Sequence, residues 1–179
     1  DHNHKIYQAM EFPNVISEKI SHYLRERGET ISIAESVTSG FLQLAFSQME
    51  CAEQFYNGGL TTYTIGEKIK HLNIDPVEAK ACNCVSQNIT KTMALNVANM
   101  FETNWSIATT GFATPVPESD HQIYAYFAIA YHGKIILSER IELHPLTDPL
   151  AAQHYYMEYV LGCLRCEVKK NVEDLAINH

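Results

Sequence analysis

Positive charge is scarce in this sequence: 13 lysines and arginines stand against 21 aspartates and glutamates, a formal net charge of −8. That balance argues against a broad basic surface, so neither nucleic acid nor an anionic membrane is an expected partner. A small anion stays allowed, because a helix N-terminus with one or two cations can hold a phosphate locally. No apolar run reaches bilayer length, and no basic segment leads into an apolar one at the start of the sequence. Neither an anchor nor a signal peptide is expected, and a cytoplasmic location is the simplest reading. Cysteine is also sparse, an odd five without the density of a disulfide framework: Cys51, Cys82, Cys84, Cys163 and Cys166. Cys163 and Cys166 fall three apart in a helical pattern, where that spacing stacks residues on one face, and no second pair stands at zinc-finger spacing. The N-terminal His2 and His4 sit in a polar end that reads as frayed. No metal and no cofactor is therefore expected. Internal repeats and low-complexity segments are absent as well, which points to one domain over residues 1–179, with its core at about 13–166 and loose termini.

What is present is an ordinary globular composition, 46% hydrophobic and 19% charged, in 179 residues that alternate between two periodicities. Pro13 opens a helix with Ile16, Ile20, Tyr23 and Leu24 at helical spacing, and Gly28 ends it. Residues 30–34 read as a short strand and residues 38–49 as a second helix. Residues 55–63 read as an extended segment bent or bulged at Gly58-Gly59. One or two helical turns over 66–72 and a short helix opened by Asp75-Pro76 follow. Ser86 reads as the N-cap of a long helix carrying Ile89, Met93, Val97 and Met100 on one face, which feeds a strand over 104–109. Residues 123–131 and 134–141 form two strands about the hairpin signal His132-Gly133. A last helix begins near Thr147 with Leu150, His154, Met157, Leu161 and Leu164 on one stripe, and a polar tail runs from Lys169. This order predicts an α/β fold, an open, mixed and mostly parallel sheet of about five strands with at least one antiparallel neighbour and helices on both faces.

In such sheets ligands sit beyond the carboxyl ends of the parallel strands. Two segments fall there: Glu35-Ser36-Val37-Thr38-Ser39-Gly40, between a strand and a helix, and Thr110-Gly111 at the end of a later strand. Ser36 on such a turn is either a nucleophile or a helix cap, and backbone N–H groups of the following helix start are able to hold an oxyanion. Tyr63 and Lys68, five positions apart, supply the phenol and amine that a serine needs when no histidine activates it. Taken one at a time, the same residues also read as a cap, a half-buried strand-end tyrosine and a solvated lysine. His121, His144 and His154 each stand alone and read as packing or solvated residues.

The segments Ala34 to Gly40, residues 55–68, Val85-Ser86 and Ile107-Ala108-Thr109-Thr110-Gly111-Phe112-Ala113-Thr114-Pro115 resemble the C-terminal domain of the competence/damage-inducible protein CinA. The resemblance covers roughly residues 16–164. Members of that family include nicotinamide mononucleotide (NMN) deamidases of pyridine nucleotide salvage, which hydrolyse the NMN carboxamide and release ammonia. What the resemblance implies is a three-layer α/β/α fold and a hydrolase acting on a linear amide C–N bond. It implies Ser36 as nucleophile, Tyr63 and Lys68 as its proton-handling partners, and Thr110 in the active-site hydrogen bonding. Glu35, Thr38, Ser39, Gly40, Gly111 and Ala113 would be substrate-binding, the substrate a small molecule such as a pyridine nucleotide, and the protein a homodimer.

This sequence departs from the family pattern where substrate is held. The usual Ser-Cys-Thr-Gly-Gly is Ser36-Val37-Thr38-Ser39-Gly40, and the usual Thr-Gly-Ile-Ala-Gly-Pro is Thr110-Gly111-Phe112-Ala113-Thr114-Pro115. The glycine-rich loop that follows in the family is replaced by residues 116–124, which carry Glu118 and Asp120 and no glycine. Those acids repel a phosphate that such a loop would otherwise cradle. A family Gly-Asp-Arg segment is replaced by Pro145-Leu146-Thr147, leaving Arg140 as the nearest cation in sequence. Three readings stay open on these grounds: an amidohydrolase of the NMN deamidase type, the same serine–lysine machinery acting on another, non-phosphorylated amide, or a diverged, inactive domain that binds a ligand or a partner.

Overall fold

The computed structural model describes residues 12–177. Its centre is a five-stranded sheet in the order β2-β1-β3-β4-β5. The strands are β1 (Ile31–Glu35), β2 (Tyr56–Thr61), β3 (Trp105–Gly111), β4 (Ile123–Tyr131) and β5 (Lys134–Leu143). β1 pairs in parallel with β2 and with β3, while β4 runs antiparallel to both of its neighbours. One strand therefore opposes the other four, as the hairpin signal at His132-Gly133 requires. Six α-helices flank the sheet: α1 (Asn14–Arg27), α2 (Phe41–Ser47), α3 (Ile65–Leu72), α4 (Pro76–Ala81), α5 (Gln87–Phe101) and α6 (Pro149–Ile177). Among the described residues, no helix is long and apolar enough to cross a membrane.

The layers follow from the alternation along the strands. On one face Ile31, Ile33, Trp105, Ile107, Phe127 and Ile129 pack with buried side chains of α1, α2 and α6. On the other, small residues leave room for a closely seated helix: Ala34, Ala108, Ala128 and Ala130 lie under Ile89, Met93 and Val97 of α5. Two strand serines fasten that contact, Ser32 Oγ donating to the Val97 carbonyl at 3.2 Å and Ser106 Oγ to the Ala94 carbonyl at 2.6 Å. Ser86 caps α5 as the sequence suggests, its Oγ accepting from Ile89 N at 3.1 Å. The bend in β2 is a register shift against β1, where Ile31 faces Tyr56 but Ser32 faces Gly58.

Several boundaries differ from those read in the sequence. α2 begins at Phe41 rather than near Thr38, because residues 36–40 form a turn in which Ser39 and Gly40 have φ of 51° and 99°. α6 starts at Pro149 and continues to Ile177, so the tail expected to be loose from Lys169 is helical. Leu150 and Met100, assigned to apolar faces, are both exposed.

At the end of the sheet away from the strand–helix turn, Glu29 is buried among donors. Its carboxylate accepts from Trp105 Nε1 at 2.7 Å, the Tyr131 hydroxyl at 2.9 Å and Arg27 Nε at 3.0 Å. Truncating it leaves an indole N–H, a phenol and a guanidinium without their acceptor. Glu29→Ala is expected to lower unfolding free energy by about 3 kcal/mol, measured as a drop in the urea midpoint at unchanged slope.

Candidate functional site

The turn that carries Ser36 is held from several directions. Glu35, fully buried at the end of β1, accepts from Leu42 N and Gln43 N at 2.9 Å each and so anchors the start of α2. Within the turn, Ser39 N donates to the Ser36 carbonyl and Phe41 N to the Thr38 carbonyl, both at 3.0 Å. The Thr38 hydroxyl lies 2.8 Å from that of Thr109 on β3. From α6, Gln153 Nε2 donates to the Val37 carbonyl at 2.9 Å. Ser36 itself is 6% exposed, and its hydroxyl has no hydrogen-bond partner among the described residues.

Lys68 arrives from α3, whose N-cap Thr64 accepts from Glu67 N. Its side chain is 3% exposed, and Nζ donates to the Tyr63 carbonyl at 3.0 Å. Burial lowers its pKa below the ordinary 10.5, and the neighbouring Cys84 opposes that shift only in part. Burial in turn raises the Cys84 thiol. Thr110, near the end of β3, donates through Oγ1 to the Cys84 carbonyl at 2.8 Å. That bond fixes the connection between α4 and α5, in which Asn83 and Cys84 both have positive φ. Next in chain, Gly111 presses on β4: a Cβ there would lie 2.5 Å from the Ala125 Cα and the Tyr124 carbonyl oxygen.

Ser36, Tyr63, Lys68 and Thr110 share one cavity of about 380 Å³, also lined by Gly111 and Ala113. The four residues of the expected nucleophile group are therefore together, although not in the bonding pattern envisaged. Tyr63 is 72% exposed, and it is the backbone carbonyl of this residue, not its phenol, that meets Lys68. The Thr110 hydroxyl is committed to Cys84 as a donor and keeps only its acceptor capacity.

Four expected substrate contacts lie elsewhere. Glu35 turns its carboxylate into the start of α2, Thr38 faces Thr109, and Ser39 and Gly40 shape the turn outside the cavity lining. Residues that the sequence reading did not single out include Asn83, Pro149 and Gln153, all on the lining. Gln153 had a visible signal, since it is a polar side chain among the apolar residues at the start of α6. Arg140 is held away from the lining, its guanidinium 4.0 Å over the Tyr124 ring and 3.1 Å from Glu142. The cysteines are free thiols, and no group of three potential metal-ligating side chains occurs among the described residues.

The family model of the CinA C-terminal domain matches residues 14–166. The chain belongs to the CinA C-terminal domain family. A CinA-like protein of Synechocystis sp. is 37% identical over 102 residues, which is 57% of this chain and 24% of that protein. Another, from Trichormus variabilis, is 29% identical over 148 residues, 82% of this chain and 36% of that protein. The chain thus spans about a quarter to a third of the length of these curated relatives. Among solved structures, a CinA superfamily protein from Enterobacter cloacae superposes with a TM-score of 0.79 at 24% identity, covering 86% of this chain and 90% of that one. A competence or damage-inducible protein from Enterobacter asburiae gives 0.80 at 22% identity, covering 86% and 96%. These two likenesses bear on the fold, and the three-layer CinA architecture is the one described above.

The depressed Lys68 ammonium gives a stability prediction with a definite sign. Between its folded pKa and 10.5 the unfolded state binds more protons than the folded one, so stability rises with pH across that interval. Below the folded pKa the chain carries the full cost of a buried ammonium. Lys68→Met is expected to be at least as stable as the parent at pH 7 and to lose the rise toward pH 10, as read from urea unfolding at both values.

Proposed function

We propose that this CinA-family chain is an amidohydrolase of the NMN deamidase type, in which Ser36 attacks a carboxamide carbon and ammonia leaves. The observation that carries this reading is a buried lysine of lowered pKa on the same cavity wall as a serine hydroxyl without a partner. A neutral lysine is a base strong enough to take the serine proton, and burial, by lowering the Lys68 pKa, enlarges the neutral fraction.

In this reading Lys68 accepts the Ser36 proton as Oγ bonds to the carbonyl carbon. The tetrahedral oxyanion is met by the Val37 N–H, which lies on the cavity lining and is uncommitted among the described residues. The first N–H groups of α2 are not available for this, being held by Glu35 and Thr38. Each good oxyanion donor contributes roughly 3 kcal/mol to the transition state. Lys68 then returns the proton to the departing nitrogen, the C–N bond breaks, and ammonia is released. Water attacks the acyl-serine with Lys68 again as base, which frees the carboxylate product and restores the hydroxyl. Tyr63 acts as a positioning residue, its carbonyl fixing Nζ, and Thr110 acts through the loop at Cys84.

The commitment of the Thr110 hydroxyl to the Cys84 carbonyl and of Lys68 Nζ to the Tyr63 carbonyl favours a second reading, an inactive ligand-binding domain of the same family. Ammonia release from NMN, nicotinamide and a panel of small amides separates the two. The hydrolase reading expects turnover that falls at least ~10³-fold in Ser36→Ala and by ~10² or more in Lys68→Met. It also expects kcat/KM to rise with pH through a midpoint below 10.5 that disappears in the lysine variant. No turnover by the parent, with saturable thermal stabilisation by one of the same compounds, establishes the binder instead.

A further inference from the structure

From the cavity and the helix ends around it, we infer that the substrate carboxamide carries no phosphate group and is uncharged; this rests on the hydrolase reading above. Lys68 is the one charged side chain among the lining residues of the cavity. A general base must be neutral when it acts, so the residue that would pair with a phosphate is the residue that chemistry requires uncharged. A phosphate beside it would favour the ammonium form and switch the base off.

The other devices that bind phosphate in α/β folds are partly taken up by groups of the chain itself. An open helix N-terminus is the commonest of them. At α2 the Glu35 carboxylate takes the N–H groups of Leu42 and Gln43. At α6, which supplies Pro149 and Gln153 to the lining, Asp148 Oδ2 accepts from Ala151 N at 3.1 Å. At α3, which supplies Lys68, Thr64 accepts from Glu67 N and the Glu67 carboxylate sits in the first turn. At α5, Ser86 Oγ accepts from Ile89 N. Three of these four helix starts carry an acid, which cancels the favourable dipole for an incoming anion.

Nor do residues 119–122 of the loop after β3 offer an amide nest. Ser119 N and His121 N both donate to the Val116 carbonyl, at 3.1 and 2.9 Å. Asp120 N donates to Pro117 O at 3.1 Å and Gln122 N to Ser119 O at 3.0 Å. Four consecutive N–H groups are thus spent within the loop, which also bears Glu118 and Asp120. Arg140, the cation nearest in sequence, is fixed between Tyr124 and Glu142. What the lining does offer is an apolar wall from Val37, Val85, Phe112, Val116 and Pro149, with the Asn83 and Gln153 amides beside it. Asn83 makes no side-chain hydrogen bond among the described residues, and Gln153 Oε1 is an acceptor beside its committed Nε2. An apolar wall with carboxamide donors and acceptors is complementary to a flat, uncharged primary amide.

Two matched pairs test this by initial rates of ammonia release: nicotinamide against NMN, and 4-hydroxybenzamide against its phosphate ester. The uncharged member is expected to have at least a tenfold higher kcat/KM in both pairs, with turnover abolished in Ser36→Ala. Val116→Lys, which puts a cation on the wall, is expected to move the ratio at least threefold toward the phosphorylated member, with Thr114→Lys as the alternative if that variant does not fold. Preference for the phosphorylated member in both pairs, dependent on Ser36, overturns the inference and leaves the hydrolase reading standing. Absence of Ser36-dependent turnover of all four overturns both.

Discussion

The geometry at the candidate site depends first on one buried carboxylate. Glu35 ends β1 and reaches across the following turn to the N–H groups of Leu42 and Gln43, so a strand and a helix that meet at an angle are joined by two charge-assisted hydrogen bonds. The five residues between them have little freedom left. Ser39 adopts a left-handed backbone despite its Cβ, and Thr38 is pulled onto Thr109 of the neighbouring strand. Ser36 owes its place above the sheet to these constraints, since its own side chain makes no bond that would hold it. A buried acid normally carries a desolvation cost, and here the helix end repays it with two donors and a favourable dipole.

The opposite layer controls the other half of the cavity by a different device. Small side chains on β1, β3 and β4 let α5 sit close to the sheet, and its N-terminal approach through residues 82–86 is brought to the cavity edge. The Thr110 hydroxyl ties that approach to the end of β3. Lys68 lies between the two, with Tyr63 holding the amine and Cys84 beside it. Displacement of any of the three would change the dehydration of the lysine before it changed the fold, which makes its protonation a property of the assembly.

Much of this architecture is legible in the sequence because it is written in local chemistry. Ser86, Asp75-Pro76 and His132-Gly133 announce two helix starts and a hairpin, and the structure has all three. The two-faced strands are visible in Ile31-Ser32-Ile33-Ala34 and in Trp105-Ser106-Ile107-Ala108. What is not legible is non-local. Nothing near Glu35 says that its carboxylate will cap α2, and without that knowledge the helix reads as starting at Thr38. The same blindness hid that Thr38, Ser39 and Gly40 shape the turn and lie outside the cavity lining. Gln153, 116 residues from the carbonyl it binds, belongs to the site only after folding. The extension of α6 to Ile177 escaped for another reason: Val168, Val172, Leu175 and Ala176 do keep helical spacing, but the polar runs Lys169-Lys170-Asn171 and Glu173-Asp174 between them read as a tail.

The reversed direction of β4 also has a consequence for how such a domain diversifies. Because β3 and β4 are antiparallel neighbours, the link between them returns directly over the cavity, whereas the links between the parallel strands must traverse a helical layer. Residues 112–122 therefore form a stretch of rim that no α-helix interrupts, tied to α6 at its start by the Tyr156 hydroxyl on the Phe112 carbonyl. The turn bearing Ser36 and the bed of Lys68 belong to the packed part of the molecule, and the middle of that link, residues 114–118, lies on its surface. A change of residue type at 114–118 thus alters what faces the cavity mouth while leaving the frame around Ser36 intact.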